Sequence, residues 1–115
     1  MAHPVEGTPF MLAAARASVP PQRLSELLAA AESTLDGDWY DRRYERALAT
    51  DGSDAYFVET GHWAEVGEEQ GWNRREQEAV ARAHREQLLH AGKSAGRREE
   101  FETALELREA VVVGR

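Results

Sequence analysis

Apolar residues recur at spacings of three and four along most of the chain, and this pattern predicts helices. Thr8-Pro9 reads as an N-cap followed by a first-turn proline, opening a short helix from Phe10 to Ala17 that Ser18-Val19-Pro20-Pro21 stops. Pro21 begins a second helix with Leu24, Leu27, Leu28, Ala31 and Leu35 on one buried face, closed by Asp36-Gly37. Asp38 is read as the cap of a third helix, Trp39 to Ala49, which puts Tyr40, Tyr44, Ala47 and Leu48 on one stripe with Trp39, Arg43 and Arg46 beside it. Thr50-Asp51-Gly52-Ser53 is a break.

Asn73 and Glu76 form a capping-box pattern that starts a long helix to Ala91, and Gly92 suits a left-handed C-cap. A last helix, Arg97 to Val111, places Phe101, Ala104, Leu105 and Arg108 on one face, so the two helices predict an antiparallel hairpin. The fold expected from these elements is all-α, a four- or five-helix bundle built on that C-terminal hairpin, in one domain over residues 1–115. Val111-Val112-Val113 either ends the last helix or forms a short strand. Apolar valines at a chain end call for cover, and a second copy would supply it, so a homodimer is expected.

Between Ala55 and Asn73 the rhythm changes, with four aromatics, His62 and four glutamates in nineteen positions. Tyr56-Phe57-Val58 reads equally as a short strand or as helix. If residues 54–70 are helical, Glu59, His62 and Glu65 follow one another at spacings of three and two carboxylates flank one imidazole. That arrangement raises a histidine pKa and fixes its tautomer, as a general base or metal ligand requires. Set against it is a packed helix whose Gly61 and Gly67 admit a neighbour, with Glu65, Glu68 and Glu69 on a solvated face. His84 shares an apolar stripe with Val80 and Leu88 and reads as a buried, hydrogen-bonded histidine, while His90 points elsewhere.

Trp39, Tyr40, Arg43 and Tyr44 form a second candidate, a partner-binding surface, because aromatics and arginine dominate binding hot spots. Trp63 and Trp72 are expected to pack behind it. The third is a helix-turn-helix: Ala64 to Gln70, the turn Gly71-Trp72-Asn73, then a helix from which Arg74, Arg75 and Arg82 reach phosphates. Glu76 and Glu78 stand where that helix would meet DNA, and any αα-corner uses the same turn. Gly92-Lys93-Ser94 resembles the tail of a phosphate loop, but Gln87 holds the place of its first glycine.

Composition narrows these readings. A charged fraction of 30% and 42% hydrophobic residues mark a folded chain, and a mean hydropathy of -0.63 leaves much of each helix facing water. The net charge of -7 opposes nucleic acid and anionic membranes. Without cysteine there is no disulfide, zinc-thiolate site or thiol nucleophile. No apolar run approaches a membrane span, and the N-terminus does not read as a secretory signal, so a cytoplasmic location is expected. The residues demand no cofactor and assign no catalytic group. The function that follows is a non-enzymatic interaction module, with a DNA-binding regulator and a small metal- or ligand-binding protein around His62 as alternatives.

Only Lys93 among the 14 basic residues is a lysine, and 21 residues are acidic. With this balance, the stretches His62 to Trp72 (HWAEVGEEQGW) and Arg108 to Arg115 (REAVVVGR) resemble the small uncharacterised proteins of haloarchaea. The resemblance implies no known activity.

Overall fold

A computed structural model describes residues 3–5, 7–50 and 52–115, which form six helices and a three-stranded antiparallel sheet. The chain runs α1 (Gly7–Arg16), α2 (Pro21–Glu32), α3 (Gly37–Arg43), β1 (Arg46–Ala49), β2 (Ser53–Glu59), α4 (His62–Gln70), α5 (Arg74–Ser94), α6 (Arg98–Ala104) and β3 (Arg108–Gly114). The sheet overturns the all-α bundle. Two of its strands come from segments whose arginine, alanine, leucine and glutamate read as helix. The strand order is β1-β2-β3, and β2 pairs with β3 in unbroken register from Ser53↔Gly114 to Glu59↔Arg108.

Both faces of the sheet are covered, which is why its strands are so apolar. Tyr56, Val58, Val111 and Val113 join Leu24, Leu27, Leu28, Trp63, Val80 and Ala83 in one core. Ala55, Ala110 and Val112 face the other way, onto Leu88, Leu89, Phe101 and Leu105. The period-two alternation thus splits the valine run between two cores. Val111, Val112 and Val113 are all buried by the chain's own residues, so the need for a second copy to cover them falls away.

α5 lies along the outer edge of β3 and side chains satisfy that edge. Trp63 Nε1 donates to the Ala110 carbonyl (2.8 Å), Val112 N–H donates to His84 Nδ1 (2.9 Å), and Gly114 N–H donates to Glu32 Oε1 (2.8 Å). These bonds occupy three of the outward backbone groups of the edge strand, groups that an uncovered edge would present to solvent. At the opposite edge Arg97 donates to the Ala47 carbonyl on the short β1.

Several boundaries differ from the sequence reading. The third helix stops at Arg43 rather than Ala49, and its cap is Asp36, whose carboxylate accepts from the Asp38 and Trp39 N–H groups. α1 begins at Gly7, so Thr8-Pro9 lies within its first turn. Thr50 N–H donates to the Ser53 carbonyl across the β1–β2 turn; Asp51, part of the expected break, lies outside the described residues. Gly92 does not end α5 but is buried inside it against Phe101, and the left-handed residue is Gly96 at φ +72°. Gly92-Lys93-Ser94 is therefore the last turn of a helix rather than a phosphate loop. The C-terminal hairpin is cut short because α6 has seven residues and the chain then turns into β3. Asn73 and Glu76 form the expected capping box at the start of α5.

Candidate functional site

The end of β2 and the start of α4 meet at Gly61, whose φ of +96° is a conformation glycine adopts without strain. Glu59 is therefore the last strand residue and His62 the first of α4, and the expected continuous helix over 54–70 does not exist. The turn nonetheless gathers Glu59, His62 and Glu65, with one potential ligand atom from each lying within 4.8 Å of the others. Glu109 on β3 fixes this turn: its carboxylate accepts from the Gly61 and Trp63 N–H groups at 2.9 and 3.0 Å. Such a carboxylate satisfies two helix N-terminal donors that would otherwise be orphaned.

α3 supplies the facing wall. Trp39, Tyr40 and Arg43 lie on it and Tyr44 follows it in extended conformation, so the two residue sets read separately from the sequence line one cleft of about 490 Å³. Two hydrogen bonds join them. Tyr40 Oη and His62 Nε2 are 2.6 Å apart in a buried pair, and Tyr44 donates to Glu59 Oε2 at 2.7 Å. Arg43 stacks over the Trp39 ring at 4.6 Å, and the Tyr40 and Tyr44 rings lie 5.8 Å apart. Trp63 and Trp72 are in the core cluster that also holds Tyr40.

The electrostatics follow from this packing. Burial lowers the His62 pKa against the pull of Glu59, Glu109, Glu65 and Glu69, which keeps the imidazole neutral. Burial raises the Tyr40 pKa, while the Tyr44 phenol is pushed up to about 12 by burial and by its bond to Glu59. The same bond lowers the Glu59 pKa. Four carboxylates, Asp36, Glu59, Glu65 and Glu69, line the cleft against one guanidinium, Arg43.

A family model described as "Domain of unknown function (DUF8048)" matches residues 3–115. The chain belongs to this family. No curated protein and no solved structure matches it. What a DUF8048 domain does must accordingly be read from its residues.

The remaining expected site residues fall elsewhere. Arg74 donates to Glu78 on the exposed start of α5, and Arg75 is exposed beside it. Arg82 lines a separate cleft with Arg16, Arg85 and Arg108, faced by Glu78, Glu86, Glu106 and Glu109. The arginines of the helix-turn-helix reading are thus interleaved with acids. Thr34, Leu35, Asp36, Val66 and Glu69 also line the first cleft and were not read from the sequence as site residues; the acidic face of α4 was the only signal for Glu69. His84 is buried and hydrogen-bonded, with its pKa lowered to about 3 chiefly by burial.

Proposed function

We propose that this chain is a small ligand-binding domain whose cleft between α3, the end of β2 and α4 takes a compact cationic group. The observation that carries this reading is the convergence of Trp39, Tyr40 and Tyr44 with Glu59, Glu65 and Glu69 around one cavity. Aromatic rings supply apolar walls and a negative quadrupole, and carboxylates supply the countercharge, so an anion is disfavoured. A cavity of about 490 Å³ suits a small molecule or the tip of one basic side chain. The partner-binding residues and the His62 cluster then serve a single function rather than two.

Titration of the isotope-labelled chain with spermidine, tetramethylammonium and zinc, followed on the Trp39 indole and the His62 ring, tests this. Saturable shifts confined to the cleft support it. If the folded chain responds to none of these cations, the reading is lost.

The proposed haloarchaeal source rests on the arginine-for-lysine, acid-rich composition, which keeps a surface hydrated in high salt. Among the described residues no helix is long and apolar enough to cross a membrane.

A further inference from the structure

His62 is only 5% exposed, yet it lines the cleft. Its Nε2 is engaged by Tyr40, and Nδ1 has no hydrogen-bond partner among the described residues. An acidic surface alone would be explained by solvation. The His62 imidazole is different: it is almost wholly buried as a residue, and the ring nitrogen it leaves without a bond adds a nitrogen donor to the two carboxylates. Glu59 and Glu65 stand beside that ring with exposed side chains. Three donors around an ion at about 2.1 Å in tetrahedral geometry lie about 3.4 Å apart. The present separations, within 4.8 Å, close to that by torsion of the two glutamates.

Resting on the cationic reading of this cleft, we infer that its ligand is a divalent metal ion of the zinc class, held by Glu59, His62 and Glu65. A ligating histidine needs its other ring nitrogen fixed, and Tyr40 does that; a ligating carboxylate needs its own support, and Tyr44 gives it to Glu59. Nitrogen with two carboxylates favours zinc-class ions over magnesium, which takes oxygen donors and keeps its water. Three protein donors leave the fourth position open towards the cleft, where a small ligand would meet the ion.

Isothermal titration of the full chain with zinc chloride, beside magnesium chloride and spermidine, tests the assignment. The expected result is one zinc per chain, with magnesium weaker. Glu65→Gln, which touches neither tyrosine bond, should lower zinc affinity at least about tenfold, and Tyr44→Phe should lower it by a similar factor. His62→Gln, checked for retained fold by circular dichroism, should abolish it. Zinc binding unchanged in Glu65→Gln and His62→Gln would place the ion elsewhere and overturn the assignment. No zinc binding, with spermidine still shifting the Trp39 and His62 signals, would overturn the metal and leave the cationic cleft standing. No response to any cation would overturn both.

Discussion

The ring of His84 accepts a hydrogen bond at Nδ1 from the backbone N–H of Val112, 2.9 Å away. The acceptor lies on α5 and the donor on the outer edge of β3, so one side chain both joins two elements and closes the sheet. Only a neutral imidazole can accept at Nδ1. Burial holds its folded-state pKa near 3, well below the ordinary 6.5.

Acid stability should therefore depend on this residue. The unfolded chain takes up a proton at His84 below pH 6.5 and the folded chain does so only near pH 3, so the contribution is present above 6.5 and is lost as pH falls through that window. The slope is about 1.4 kcal/mol per pH unit for one proton. Urea unfolding of the parent and of His84→Gln, compared between pH 6.5 and 4.5, should show the parent losing stability more steeply. Equal slopes would mean that His84 carries no such linkage.

Glu109 gives a second prediction. It accepts from two N–H groups at the start of α4, so Glu109→Ala leaves both donors without a partner. A loss of about 1–2 kcal/mol is expected, as for removal of an N-cap. Glu109→Gln keeps one acceptor and should lose less. Chemical denaturation of both variants at neutral pH is the check, and a larger loss in Glu109→Gln would contradict the capping role.

These contacts show which parts of the fold were legible in the sequence. The capping box of Asn73 and Glu76 is contained in four residues, so its pattern and its structure coincide. β1 and β3 are different: Arg46–Ala49 pairs with β2 across a turn, and Arg108–Gly114 pairs with residues 49 to 61 positions earlier. Their local composition favours helix, and only tertiary pairing makes them strands. The valine run was the honest local signal of β3. At the cleft, the residue types were visible but their union was not, because β1 and β2 separate α3 from α4 along the chain and only the fold brings the two helices face to face.

Gly92 offers a third prediction. A methyl added there would meet the Phe101 ring, itself fully buried, edge-on to Phe57 and covered by Arg97. Alanine is worth about 1 kcal/mol over glycine inside a helix, but overpacking against a ring that cannot retreat costs about 1–3 kcal/mol. Gly92→Ala should thus be destabilising. Gly67 is the useful contrast: its methyl would meet the Gln77 side chain, which is held by a bond to the Trp72 carbonyl. Gly67→Ala should recover stability when combined with Gln77→Ala, and thermal melts of the double-mutant cycle would show it. Additive effects would mean that the two side chains do not collide.

Tyr44 and Glu59 carry the last prediction. The phenol pKa is pushed up to about 12, so at neutral pH it donates to the charged Glu59 carboxylate. That bond is the main cause of the lowered Glu59 pKa. Tyr44→Phe removes the donor while keeping the ring that packs on Tyr40. The Glu59 titration midpoint should then rise towards 4.5. Carboxyl-carbon chemical shifts followed from pH 2 to 7 read this directly, without reference to any ligand. An unchanged midpoint with the fold intact would show that Tyr44 does not position the carboxylate, and the fall in cation affinity expected of the same variant would lose its physical cause.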